Sequence, residues 1–150
     1  MKHPLCPQSR NATMEYGKLV ESIYAAFARQ DTRYILDQLA DDVEWVVFGP
    51  SSIPFAGTWY GRENVGRFFA SIRSTQKAPR VAVTEIIASG KTVVATVRYS
   101  GTVTATGRRF DTSAVHVFTF RGGKVASFRD YFDTAQLEAA YSSTARSAAA

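Results

Sequence analysis

From Arg80 to Phe132 the hydrophobic period of this sequence is two, and three glycine-bearing dipeptides interrupt it: Ser89-Gly90, Thr106-Gly107 and Gly122-Gly123. Alternation of this kind specifies strands with one buried face, and such dipeptides are hairpin punctuation. The segment therefore predicts four strands, Val81 to Ala88, Val93 to Thr104, Phe110 to Phe120 and Val125 to Phe132, paired in antiparallel order. A sheet this long must have its apolar face covered, and the cover has to come from the preceding half of the chain.

That half reads as helical. Leu19, Val20, Ile23, Tyr24 and Phe27 recur at three- and four-residue spacing, one apolar stripe starting near Thr13 as a candidate N-cap. Asp31 opens a second, shorter helix with Tyr34, Ile35, Leu36 and Leu39, ended by Asp41-Asp42. Val43 to Phe48 is a β-run stopped by Gly49-Pro50, and a loop with Pro54 and Gly57 leads to Gly61. A third helix carries Val65, Phe68, Phe69 and Ile72 on its inner face, and a short helix, Thr134 to Tyr141, closes the chain. Helices gathered early and strands late predict an α+β fold. The expected form is a cone-shaped, curved antiparallel sheet with N-terminal helices covering one face and a cavity between them. One domain over residues 14–141 is expected, with a disordered lead-in at 1–13 and a flexible tail at 142–150.

Composition narrows the class. With 45% hydrophobic and 13% aromatic residues the chain can pack a core and line a pocket, which excludes intrinsic disorder. No stretch nears the roughly 18 apolar residues of a membrane span, and the N-terminus reads as lacking a secretory h-region, so a cytoplasmic protein is expected. The single cysteine, Cys6, has no internal disulfide partner. The net charge of +5 is carried by scattered basic residues, Arg108-Arg109 being the one adjacent pair. That pattern fits a solvated surface rather than a nucleic-acid interface. Metal, phosphate-loop and covalent-nucleophile motifs are missing, so general acid–base chemistry without a cofactor, or plain binding, is the expectation.

Strand parity then sorts candidates. Asp130 shares a face with Ala126, Phe128 and Phe132, and His116 shares one with Thr112, Ala114, Phe118 and Phe120. A carboxylate among phenylalanines costs desolvation energy unless it is paired. The two titratable groups lie on adjacent hairpin strands and could meet. Arg98, on a face with Val94, Thr96, Ser100 and Thr102, is a third candidate if it lies inside and holds Asp130. The plainer alternatives are a hydrogen-bonded core histidine, an ion pair of Asp130 with Arg98 or Arg129, and an exposed Arg98. Trp45, Phe48, Phe55, Phe68 and Phe69 read as core and cavity lining. On the opposite face Tyr99, Val103, Val115, Val117 and Tyr131 are apolar enough to want a partner, which suggests a homodimer.

Two segments, Leu39-Ala40-Asp41-Asp42-Val43-Glu44-Trp45 and Phe55-Ala56-Gly57-Thr58-Trp59-Tyr60-Gly61-Arg62-Glu63-Asn64-Val65, resemble the nuclear transport factor 2-like superfamily. So does Gly123-Lys124-Val125 with Phe128-Arg129-Asp130-Tyr131-Phe132-Asp133, and the nearest branch is the SnoaL-like one, with its polyketide cyclases and limonene-epoxide-hydrolase-like members. The resemblance implies that Asp130 matches the last-strand acid or base of those enzymes and that His116 sits where many SnoaL-like proteins carry a pocket histidine. Arg98 falls at the arginine of the epoxide hydrolases' Asp–Arg–Asp triad. Ser100 replaces its second Asp, however, and Trp45 and Val47 replace the water-positioning Tyr and Asn, so that triad is broken. The first-strand Asp of ketosteroid isomerases has no counterpart among Val46, Val47 and Phe48, and their helix-one Tyr falls at Ile23, beside Tyr24.

The expected function is that of a cofactor-free enzyme moving protons on an apolar or aromatic carbonyl compound by cyclisation, isomerisation or hydrolysis. Asp130, His116 and Arg98 would form its catalytic set. Trp45, Phe55, Tyr60, Phe69, Ser100, Phe118, Phe128 and Phe132 would contact the hydrophobic small molecule. The alternative is a non-catalytic ligand-binding or dimeric assembly module of the same fold.

Overall fold

The structure, a computed structural model, describes residues 7–142, with side chains from residue 11 onward. In chain order it contains α1 (Pro7–Ala28), α2 (Thr32–Asp37), β1 (Leu39–Val47), β2 (Gly57–Tyr60), α3 (Gly61–Thr75), β3 (Gln76–Ser89), β4 (Thr92–Val103), β5 (Arg109–Arg121), β6 (Lys124–Phe132) and α4 (Thr134–Tyr141). The strands form one six-stranded curved sheet in the order β2-β1-β6-β5-β4-β3. The predicted four-strand meander is present, each successive pair antiparallel.

Helix α1 lies over β3 and β4, and α3 over β1, with α2 between the helices. Val20, Ile23 and Ala26 of α1 and Val65, Phe68, Phe69 and Ile72 of α3 are buried, which is the face the spacing predicts. Asp31 caps α2 as expected, its carboxylate accepting the Tyr34 N–H at 3.0 Å.

Several boundaries and one strand direction differ from expectation. Strand β3 begins at Gln76 rather than Val81. Helix α1 begins at Pro7, so Thr13 is an interior residue rather than a cap, and residues 7–13 are helical; the rest of the expected lead-in, Cys6 included, lies outside the described residues, as does the tail beyond Ser142. Helix α2 ends at Asp37, and Leu39 to Asp42 belong to β1. Within the loop expected between Gly49 and Gly61, Gly57–Tyr60 pairs with β1 as an antiparallel edge strand. The expected sheet was wholly antiparallel, yet β1 runs parallel to β6, placing Trp45 beside Phe128 and Val47 beside Asp130.

Gly101 shows how closely the far end of the sheet is packed. A Cβ there would lie 2.9 Å from the ring of the buried Phe110 opposite, so only glycine fits without moving that ring.

Candidate functional site

His116 and Asp130 are directly opposed across the β5–β6 hairpin, so their side chains rise from the sheet on the same face. His116 Nε2 lies 3.2 Å from Asp130 Oδ1, and both residues are buried, at 7% and 9% exposure. The contact is an ion-pair distance without hydrogen-bond alignment, and among the described residues Oδ1 accepts no hydrogen bond at all. The other side of the imidazole is held by α1, where the Tyr24 hydroxyl meets His116 Nδ1 at 2.7 Å.

Tyr24 fixes the orientation of the histidine ring. Its phenol is pushed well above the ordinary value of 10, first by burial and then by the negative charge of Asp130. It therefore stays protonated, and its short contact with Nδ1 sets the plane of the ring so that Nε2 faces the carboxylate. The sequence offered one sign of this. A tyrosine in an otherwise aliphatic core stripe must find a partner for its hydroxyl. The folded state binds the Tyr24 proton more tightly than the unfolded chain, so the resulting stability is complete below pH 10 and is lost as pH rises from there towards the folded value. Tyr24→Phe should flatten this alkaline decline, as urea unfolding followed from pH 8 to 11 would register. An unchanged alkaline limb would mean that Tyr24 ionises freely.

These groups open into an apolar cavity with about 60 Å³ of room for the centres of water molecules, several times the ~10–15 Å³ that one water requires. Trp45, Phe55, Phe69, Phe118 and Phe128 line it as expected, joined by Tyr24, Phe27, Phe68 and Tyr99. Trp45 stacks on Phe128 with ring centroids 3.8 Å apart, and its indole N–H is buried without an acceptor among the described residues. The cavity wall thus holds one unsatisfied donor and one unsatisfied acceptor. Buried groups left unpaired in this way call for an explanation, and a ligand is a common one.

Tyr99 belongs to a second buried network. Its hydroxyl donates to Gln76 Oε1, while Gln76 Nε2 donates to the Tyr141 hydroxyl at 2.9 Å. Burial raises the phenols of both tyrosines, with Tyr141 and Asp130 adding to the shift at Tyr99.

The remaining sequence candidates lie elsewhere. Arg98 is on the outer face of β4 and pairs with Asp111 at 3.0 Å; it does not reach Asp130. Ser100 shares that outer parity and does not line the cavity. Tyr99 and Val103, expected outside, are buried at 8% and 1% exposure. They continue the apolar row of Val93, Ala95 and Val97, whereas Arg98 and Ser100 share the other face with Thr92, Thr96 and Thr102, so the expected parity of β4 is off by one residue. Tyr60, at the β2–α3 junction, is 62% exposed. Phe132 has the expected parity but sits at the strand end, against a separate outer hollow beside Tyr131.

The family profile of the SnoaL-like domain matches residues 20–128. Among solved structures, an NTF2-like protein of unknown function from Burkholderia pseudomallei is 30% identical, with a TM-score of 0.77 over 88% of this chain and 98% of that one. TerC, crystallised with polyporic acid, is 28% identical with a TM-score of 0.73, covering 83% of this chain and 95% of that one. A Jannaschia protein assigned as a SnoaL-like polyketide cyclase is 16% identical and shares the fold, with a TM-score of 0.75 over 95% of this chain and 99% of that one. No curated protein gives a significant sequence match. Among the described residues no helix is long and apolar enough to cross a membrane. With the profile spanning well over half of the sequence and the same curved sheet in its structural neighbours, this chain belongs to the SnoaL-like domain family of the NTF2-like fold.

Proposed function

We propose that the chain is a cofactor-free enzyme that moves a proton on a small aromatic or alicyclic carbonyl compound. The observation that carries this reading is Asp130 Oδ1, buried in an aromatic cavity, without a hydrogen bond and 3.2 Å from an imidazole nitrogen. An Oδ1 lone pair engaged by no hydrogen bond is free to take a proton from a ligand placed in the cavity. Asp130 takes the proton from the carbon beside the carbonyl, and the C–H electron pair moves into the enolate. The developing negative charge on the carbonyl oxygen accepts a hydrogen bond from His116 Nε2–H, with Tyr24 holding the ring behind it. Return of the proton to another carbon of the enolate system completes an isomerisation; attack of the enolate carbon on a second carbonyl, with the proton passing from Asp130 to the alkoxide so formed, completes a cyclisation. TerC, a relative crystallised with polyporic acid, supports an organic ligand in this fold.

The test needs no knowledge of the natural substrate. In D₂O the protein should accelerate loss of the α-C–H proton signals of 2-tetralone, followed by NMR. Binding of the ketone without accelerated exchange would favour the second reading, a ligand-binding module.

An assembly role for the outer face has its own support. Ile87, Val115 and Tyr131 are exposed there, and Phe48 stacks on Tyr131 at 4.6 Å. Apolar side chains grouped on one sheet face favour pairing with a second copy. Sedimentation at micromolar concentration should give twice the 16.5 kDa chain mass, and a strictly monomeric species would remove this reading.

A further inference from the structure

Beside the aromatic cavity lies a wider hollow of about 510 Å³ in the same measure, with mixed polar and apolar walls. Phe27, Ile35, Phe69 and Ile72 line both spaces, so one layer of apolar side chains lies between the hollow and the cavity. Gln76 joins them a second way: it lines the hollow, and its Oε1 takes the hydroxyl proton of Tyr99, whose ring lines the inner space.

The charges of the hollow are unbalanced. Arg73, at the end of α3, and Arg80, on β3, both line it, and neither has a carboxylate partner among the described residues. Asp31 is the one acid in its wall, and that carboxylate is engaged by the Tyr34 N–H and by Arg29 at 3.4 Å. Arg73 also faces the negative end of α3, which favours a cation there. Arg80 has no such structural reason for its position.

The backbone around the hollow is unusual as well. Gln30 and Ala78, with φ of 62° and 51°, are the two non-glycine residues of positive φ among the described residues, and both line this hollow. Strand β3 slips register between Lys77 and Arg80, the kind of bulge that re-aims a side chain beside a functional site.

We propose that this hollow is an anion-recognition vestibule, in which Arg73 and Arg80 bind the carboxylate of an aromatic acid while its ring passes between the shared apolar side chains into the cavity. The proposal rests on the reading of the cavity as a ligand site and names the substrate class of that site. Guanidinium groups suit the task because their planar donors match a carboxylate edge to edge.

The experiment compares 4-phenylbutyrate with its neutral isostere 4-phenylbutanamide, titrated against the intrinsic fluorescence of the full chain, in which Trp45 lines the cavity. At low ionic strength the acid should bind about tenfold tighter than the amide, and the two should converge at 1 M salt. In Arg73→Ala/Arg80→Ala the preference should vanish while the amide binds as before. Lys18→Ala/Arg109→Ala removes the same charge from exposed positions outside both spaces and should keep the preference. Equal binding of acid and amide by the unmodified protein would overturn the vestibule and leave the cavity standing, as would a preference that survives loss of both arginines. If neither compound binds, the cavity reading fails and the vestibule with it.

Discussion

Asp130→Asn is expected to slow α-proton exchange of 2-tetralone by about 10²–10⁴-fold, the usual share of a positioned general base. Asparagine keeps the volume of the side chain, and its amide oxygen can face His116 Nε2–H where the carboxylate now lies at 3.2 Å. What disappears is basicity, since an amide cannot accept the carbon-bound proton. Stability should not fall, because the change removes a buried charge whose Oδ1 has no hydrogen bond and whose nearest polar neighbour is an imidazole rather than a guanidinium or ammonium. Ketone affinity should also be nearly kept, as the aromatic lining supplies most of the contact. Measured together, an exchange rate near the background and an unchanged or raised melting temperature would place the chemistry at Asp130. Asp111→Asn is the matched control. It lies on the same hairpin but on the outer face, paired with Arg98, and should leave the rate alone. A full wild-type rate in Asp130→Asn would remove Asp130 as the base.

How much of this site the sequence discloses depends on how far each residue's position is set by local pattern. His116 and Asp130 are legible as inner-face residues because β5 alternates strictly and β6 does so from Phe128 onward. The register that opposes them is not legible: counted straight from the Gly122-Gly123 turn His116 would face Arg129, and the one-residue slip between Thr119 and Phe120 brings it opposite Asp130. Arg98 is placed by its own strand: Val93, Ala95, Val97, Tyr99 and Val103 form the apolar face, and Arg98 shares the other with Thr92, Thr96, Ser100 and Thr102, so strand parity alone puts it outside. Strand β2 is hidden for a different reason. Four residues in a stretch rich in proline and glycine carry no period, and their strand character comes from pairing with Trp45 and its neighbours. The parallel contact of β1 with β6 is equally non-local. Tyr24 lies between these cases: its place on the buried stripe of α1 is legible, but its partner 92 residues away is not. The proposed vestibule is the least legible part, since two arginines on different elements line one hollow beside a register slip and two left-handed residues that no simple pattern announces.

The largest loss of stability is expected at Phe120, away from the chemistry. Phe120 is 1% exposed, stacks face to face on Tyr16 of α1 with centroids 4.2 Å apart, and sits opposite the fully buried Val125. It closes the narrow end of the sheet against the first helix, where its backbone N–H also reaches Lys91 O at 2.8 Å. Phe120→Ala removes the ring but not the backbone frame around it, so the space cannot readily collapse. Such truncations cost about 3–5 kcal/mol, a large part of the ~5–15 kcal/mol that holds a typical domain together. At roughly 2–4 °C per kcal/mol for a chain of this size, the midpoint should drop by about 6–20 °C. Ile87→Ala on the outer sheet face, where the side chain is 53% exposed, should by contrast stay within about 0.5 kcal/mol. Because Phe120 does not line the cavity, the folded fraction of Phe120→Ala should still exchange 2-tetralone protons at the wild-type rate below its melting transition. A midpoint lowered by less than about 2 °C would mean that α1 is not seated on the sheet through this ring pair. A large drop with exchange intact would separate the packing that holds the cone shut from the acid and histidine that work inside it.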